Sequence, residues 1–124
     1  LGEYLQATLG GWQAAGVLVP FVLSAALKSA QGSSTVAMIT AAAIVAPMLE
    51  PLGLGASAWG PALAVVGIGC GAMTVSHAND SYFWVVSQMA GIPVPTAYRA
   101  YTTATGIMGG VGAVLTLLAA WLLL

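Results

Sequence analysis

The sequence predicts an all-α membrane protein made of a re-entrant helical hairpin, a discontinuous transmembrane helix and one full transmembrane helix. Three observations lead to this prediction. The chain is 60% hydrophobic and only 4% charged, whereas soluble domains carry about 25% charged residues. Two polar stretches interrupt apolar runs that are too short to cross a bilayer. A third apolar run, at the C-terminal end, is long enough to cross alone.

The composition also limits the partners. A mean hydropathy of +0.98 leaves too little polar surface for a water-facing domain, so the lipid bilayer is the expected surrounding. The formal net charge of −1 gives no reason to expect a nucleic-acid partner. The single cysteine, Cys70, lies in an apolar run and offers no disulfide framework within the chain.

The hairpin is assigned to residues 12–49. Its apolar arms, 13–28 and 36–49, flank a polar turn at 29–35. At 1.5 Å per residue the arms cover about 24 and 20 Å, less than the roughly 30 Å of the hydrocarbon core. A polar turn lies at membrane depth only when it is buried in protein or faces a water-filled cavity. The re-entrant arrangement is favoured, and two tilted full spans with the turn outside are the alternative.

The discontinuous helix is assigned to residues 60–90. Apolar segments at 62–75 and 81–89 are each too short to span, and the polar string 76–80 separates them. After a turn rich in proline and glycine, the full transmembrane helix is assigned to 96–124. Its continuous apolar run begins near Thr102.

The hairpin tip carries the first group of candidate site residues. A hydroxyl side chain just before the second arm is suited to cap its N-terminus. The free N–H groups and the positive dipole end there favour an anion. Lys28 lies about one turn before the tip and either snorkels to the interface or, in a re-entrant arm, favours a negative solute. The candidate solute-binding residues at the tip are Gln31, Gly32, Ser33, Ser34 and Thr35.

The polar string 76–80 carries the second group. Asn79 or Asp80 is suited to cap the following helix, which is the simplest explanation of both. An ionisable residue inside a span costs several kcal/mol, however, and is functional by default. His77 and Asp80 are therefore the candidates for proton coupling, and Asn79 is a candidate solute ligand.

No pattern in the chain predicts an enzyme, a cofactor or a metal site. The G-x-S-x-G and H-E-x-x-H motifs are absent, and so is a cysteine–histidine metal spacing. Two discontinuous helices whose ends meet at mid-membrane are instead the recurring arrangement of secondary transporters. The two breaks together therefore indicate a transporter.

Two strings resemble the gluconate permease family of bacterial proton symporters: residues 28–37 (KSAQGSSTVA) and 76–86 (SHANDSYFWVV). The resemblance covers residues 1–124 and corresponds to the C-terminal portion of such permeases. It implies a proton-coupled importer of gluconate or a related sugar acid in the bacterial inner membrane, with multiple spans.

The resemblance also implies the C-terminal inverted repeat of an ion-transporter-superfamily fold. On this view residues 1–124 form one transmembrane domain, a fragment or half of a transporter. The hairpin tip and His77, Asn79 and Asp80 would be two parts of one site. The remaining N-terminal half, or a second copy, would be the partner that completes it.

Two other functions stay open at this stage. Relatives with the same fold carry other small carboxylates, such as D-serine or a hydroxy acid. A non-transporting membrane assembly subunit is the alternative from a different class, and it predicts polar turns that face bulk water.

Overall fold

The computed structural model describes residues 13–124, which are helical apart from their connecting turns and loops, so the all-α prediction is confirmed for this part of the chain. A 3-10 turn at Ala46–Met48 follows the helix Ser34–Val45, and the helix Val94–Leu123 contains a π-helical turn at Tyr98–Thr102. In chain order the helices are α1 (Gln13–Gly16), α2 (Leu18–Gln31), α3 (Ser34–Val45), α4 (Trp59–Met73), α5 (Ser81–Met89) and α6 (Val94–Leu123).

Helix α6 is the one helix among residues 13–124 that is long and apolar enough to cross a membrane. Its 30 residues cover about 45 Å. It begins at Val94, two residues before the start assigned from the sequence, and its first turns contain the polar and aromatic residues that precede the apolar run near Thr102. Pro95 is tolerated because it lies in the first turn, where its missing N–H costs nothing. Large apolar side chains such as Trp121 and Leu122 are exposed on its surface, as expected of a helix that faces lipid.

Helices α2 and α3 are joined by a two-residue turn within the predicted hairpin tip. Gly32 has φ +67°, and its N–H donates to the Lys28 carbonyl oxygen at 2.8 Å, which ends α2 in a left-handed cap. Ser33 is extended, and its Oγ accepts a hydrogen bond from the Val36 N–H at 3.4 Å. The glycine and the serine thus end one helix and begin the next.

Helices α4 and α5 are separated by an irregular segment at 74–80. Thr74 is extended, and its hydroxyl donates to the Cys70 carbonyl at 2.8 Å. Val75 has φ +51°, a left-handed conformation that is a genuine outlier for a β-branched residue. Asp80 then caps α5, since its Oδ1 accepts a hydrogen bond from the Tyr82 N–H at 3.0 Å.

Helix α4 packs closely against α2 through small residues. A Cβ at Gly71 would overlap the Phe21 carbonyl oxygen, and one at Gly67 would lie 3.2 Å from the Val17 carbonyl oxygen. Glycine spacing of this kind lets helix backbones approach in lipid. A buried hydrogen bond from Ser24 Oγ to the Ile68 carbonyl, at 2.8 Å, joins the same two helices.

The loop between α3 and α4 folds back onto the helices rather than into the surroundings. Leu54 is fully buried and Leu52 is 6% exposed. The backbone of α1 approaches this loop so closely at Gly16 that a Cβ there would overlap the Leu52 carbonyl oxygen. The buried core contains Val17, Ala41, Val45, Leu52, Leu54, Leu63, Ala64, Ile68 and Ala120.

Candidate functional site

The turn at 32–33 between α2 and α3 and the irregular segment 74–80 between α4 and α5, here called the two helix interruptions, contact each other directly. The Asn79 Nδ2 donates hydrogen bonds to the Ser29 carbonyl at 3.1 Å and to the Ala30 carbonyl at 3.0 Å. Both carbonyls belong to the last turn of α2, where intrahelical partners are missing. Gly32 packs against the Asn79 backbone so closely that a Cβ would overlap its carbonyl oxygen. Asn79 therefore caps α2 from the other interruption and holds the two together.

Helix α6 fixes the segment 74–80 from the other side. The Thr102 hydroxyl donates to the Ser76 carbonyl at 2.7 Å, and the Ser76 N–H donates to the Thr105 hydroxyl at 3.0 Å. The Ala78 N–H donates to the Tyr98 hydroxyl oxygen at 3.2 Å. Tyr98 and Thr102 are the ends of the π-helical turn, a feature that is frequent at functional sites.

A cavity of about 390 Å³ opens where the interruptions meet. Its volume lies within the range of small-molecule sites, roughly 300 to 1,000 Å³. Its walls come from the end of α2, the N-terminus of α3, the segment 74–80, and helices α5 and α6. The lining residues are Lys28, Gly32, Ser33, Ser34, Thr35, Met73, Ser76, Asp80, Ser81, Tyr82, Val85, Tyr101 and Thr105.

A buried ion pair lies in this cavity wall. Lys28 Nζ is 2.5 Å from Asp80 Oδ2, and the two side chains are 2% and 8% exposed. The Ser76 hydroxyl also donates to Asp80 Oδ2, and the Tyr82 N–H donates to Oδ1. Removing one partner of a buried pair leaves an uncompensated charge, which costs about 3–5 kcal/mol. The pair therefore links α2 to the start of α5 by charge as well as by packing.

The ammonium group of Lys28 is incompletely satisfied. Its Nζ is buried, and Asp80 is its one close anionic neighbour among residues 13–124. An ammonium has three N–H donors, and buried polar groups are normally hydrogen-bonded. The Lys28 side chain is therefore buried in the cavity wall rather than exposed at the surface of the protein.

The structure separates the predicted site residues into two sets. Five of them line the cavity: Gly32, Ser33, Ser34, Thr35 and Asp80. Gln31, His77 and Asn79 lie outside its lining. Gln31 is exposed, and the Asn79 amide nitrogen is occupied by the α2 carbonyls. His77 is half-buried, and its Nδ1 accepts the Asn79 N–H at 3.3 Å.

Sequence reasoning missed the pairing of Lys28 with Asp80, which are 52 positions apart. A signal for it was available, because the chain holds only two basic and three acidic residues. The basic Lys28 adjoins the polar turn 29–35, and the acidic Asp80 lies in the polar string 76–80. The roles of Thr102, Thr105 and Tyr98 had no such signal, because their partners are backbone atoms of an irregular segment.

Comparison with known proteins identifies relatives of this chain. It is 36% identical over 104 residues to the low-affinity gluconate transporter of Escherichia coli K12. The aligned residues make up 83% of this chain and 23% of that protein. It is 38% identical over 107 residues to the D-serine transporter DsdX of the same organism, covering 86% and 23%. The gluconate permease of Pseudomonas aeruginosa PAO1 is 34% identical over 103 residues, covering 82% and 22%.

The chain spans about a quarter of the length of these relatives. No solved structure matches it. The family model described as GntP family permease matches residues 1–122. The cavity is thus set in a membrane permease rather than an enzyme, and the chain belongs to the GntP permease family.

Proposed function

We propose that the chain forms part of a proton-coupled importer of gluconate or a related sugar acid in the bacterial inner membrane. The similarity to two relatives named for gluconate supports this substrate class. In this proposal α2 and α3 form a re-entrant hairpin, and α4 and α5 form the two halves of one discontinuous span. The cavity then lies at membrane depth, open to the solute path.

One observation carries the proposal: a cavity that contains a buried lysine, a buried aspartate and several hydroxyl groups lies where the two helix interruptions meet. The N-terminus of α3 and the buried Lys28 ammonium both face it, and both favour an anion. Asp80 lies in the same wall and is the ionisable acid nearest to that cation. A site that holds an anion and a titratable acid together has the parts that anion–proton symport requires.

The residues take distinct roles in this proposal. Ser33, Ser34 and Thr35 receive the substrate carboxylate at the start of α3, where the first N–H groups lack intrahelical partners. Asp80 carries the proton, because it faces the cavity and His77 does not. Asn79 holds the two interruptions in register. Because Gln31 and Asn79 both lie outside the cavity lining, neither is assigned a contact with the substrate.

A second substrate, D-serine, is favoured by a separate observation. The cavity wall contains one cationic and one anionic side chain, Lys28 and Asp80, which are complementary to the carboxylate and ammonium of a zwitterion. The chain is also as similar to a D-serine transporter as to the gluconate transporters.

The test is uptake into proteoliposomes by the protein made from the complete native reading frame. An imposed proton gradient, acidic outside, is expected to drive accumulation of labelled gluconate, and excess unlabelled gluconate is expected to inhibit it. Stronger inhibition by D-serine than by gluconate would assign the zwitterion as substrate. Absence of gradient-driven uptake of both compounds would refute the proposal.

Labelling of single cysteines distinguishes a carrier from a non-transporting assembly subunit. Ser34→Cys lies in the cavity wall and Asn79→Cys lies at the contact between the interruptions. Protection of Ser34→Cys by substrate is expected for a carrier. Full labelling at both positions, unchanged by gluconate or D-serine, would favour polar turns that face bulk water.

A further inference from the structure

The start of α3, where the proposed function places the substrate carboxylate, lines the same cavity as the Lys28–Asp80 ion pair. The only lysine of the chain is buried at the end of α2, and its ammonium has a single close anionic neighbour among residues 13–124. The α3 N-terminus lines the same cavity. An incoming carboxylate and the Asp80 carboxylate therefore compete for one cation.

We propose that Lys28 binds the substrate carboxylate together with the N-terminus of α3, and that Asp80 occupies the ammonium in the empty site. A substrate anion takes over Lys28 only when Asp80 is protonated, so one anion and one proton load together. This inference rests on the proposed function and deepens it by naming the residue that couples the two.

The charges of the cavity side chains predict the number of protons that bind with each substrate anion. Lys28 and Asp80 sum to zero in the empty site. One bound anion alone would leave a net charge of −1 in a buried site, which is costly, and one added proton returns the sum to zero. The other titratable side chains in the cavity wall are the phenols of Tyr82 on α5 and Tyr101 on α6, and a phenol adds no positive charge to the site.

The titratable and charged side chains elsewhere in the described residues do not change this net charge of the site. The α3 residues at the cavity carry only hydroxyls, and His77, on the segment before α5, lies outside the lining. Glu50 and Arg99 are exposed and also lie outside it. Among the described residues, Asp80 is therefore the acid whose protonation frees Lys28.

The hydrogen bonds around Asp80 suit this exchange. Its Oδ1 is held by the Tyr82 N–H at the start of α5, and that bond persists when the acid is neutral. Its Oδ2 faces both Lys28 and the Ser76 hydroxyl. A proton on Oδ2 is then donated to Ser76 Oγ, whose hydroxyl rotates to accept it. Protonation thus releases the ammonium without uncapping α5.

The experiment measures the dissociation constant of labelled gluconate for the purified complete protein between about pH 6 and pH 8, where gluconate stays ionised. In the wild type Asp80 is ionised in the empty site, so uptake of one proton per anion makes this constant rise by about tenfold per pH unit. Asp80→Asn frees Lys28 permanently, so its gluconate affinity is expected to be independent of pH. D-serine is measured in parallel.

The double variant Lys28→Gln with Asp80→Asn isolates the role of the lysine. It removes both charges, so no buried charge is left unpaired, and thermal unfolding of the purified protein checks that it folds. Loss of a charge-assisted contact is expected to weaken gluconate binding roughly 10- to 100-fold relative to Asp80→Asn alone. Glu50→Gln and Arg99→Gln are the matched controls for charge removal outside the cavity, and both should keep the wild-type pH dependence.

Two outcomes would overturn the inference. One is equal gluconate affinity in the double variant and in Asp80→Asn, and the other is an unchanged pH dependence in Asp80→Asn. Either result, obtained with a wild type that binds and transports gluconate, rejects the exchange at Lys28 and leaves the proposed function standing. A wild type that binds neither gluconate nor D-serine rejects the proposed function itself.

Discussion

Substituting Gly32 by alanine tests the contact between the two helix interruptions. Gly32 has φ +67°, and a Cβ there would overlap the Asn79 carbonyl oxygen. The chain offers a matched control in Gly91, which follows α5 with φ +63°; a Cβ there would meet no neighbouring atom of residues 13–124 within 4 Å. Both substitutions force alanine into a left-handed conformation, and only the first adds a backbone overlap.

The two expected costs differ because of this overlap. The left-handed conformation costs alanine about 1–2 kcal/mol, which both variants share. At Gly32 the overlap is with backbone, so Asn79 must move, and its two hydrogen bonds to the end of α2 are lost at about 1 kcal/mol each. Gly32→Ala is therefore expected to cost about 3–4 kcal/mol, roughly 2 kcal/mol more than Gly91→Ala.

The assay is thermal unfolding of the purified complete protein, followed by transport in proteoliposomes. The melting temperature is expected to fall slightly in Gly91→Ala and much further in Gly32→Ala, and transport should be lost only in the latter. Equal shifts in the two variants would refute the argument, because they would show that the interruptions do not approach each other at Gly32.

Three further substitutions test individual contacts. Val75→Gly removes the strain of a valine in the left-handed conformation, which is about 1–3 kcal/mol. Because the entropy cost of glycine is smaller than this strain, the melting temperature is expected to rise, and a lower melting temperature would contradict the strain. Thr105→Val leaves the buried Ser76 N–H without its acceptor and should cost about 1–3 kcal/mol in unfolding, whereas no change would show that this bond contributes nothing to stability. Ser24→Ala deletes the α2–α4 hydrogen bond to Ile68 and should cost only about 0.6 kcal/mol, so a loss several times larger would mean that the hydroxyl does more than bridge two helices.

The sequence was sufficient for the helical class and for one membrane-length helix, because both depend on local composition and run length. It also drew attention to the polar residues 31–35 and 76–80, since polar groups stand out in a chain with 4% charge. That the hairpin is re-entrant and that residues 60–90 form one broken span remain predictions.

The pairing within the site was beyond sequence reasoning for a physical reason. The partner of Lys28 lies 52 positions away, and it is set by the packing of α2 on α4 through Gly67 and Gly71. The same is true of Asn79, whose amide was expected to face solute and instead caps the end of α2. Hydrogen bonds to carbonyls of an irregular segment leave no pattern in the side-chain sequence.

The most direct test of the proposed symport separates exchange from accumulation in Asp80→Asn. In proteoliposomes that contain the complete protein, this variant is expected to exchange labelled for unlabelled gluconate but not to accumulate it under an imposed proton gradient, since the proton carrier is gone. Glu50→Gln, the same chemical change outside the cavity, is expected to accumulate gluconate as the wild type does. Full gradient-driven accumulation by Asp80→Asn would contradict the assignment of Asp80 as the residue that couples protons to transport.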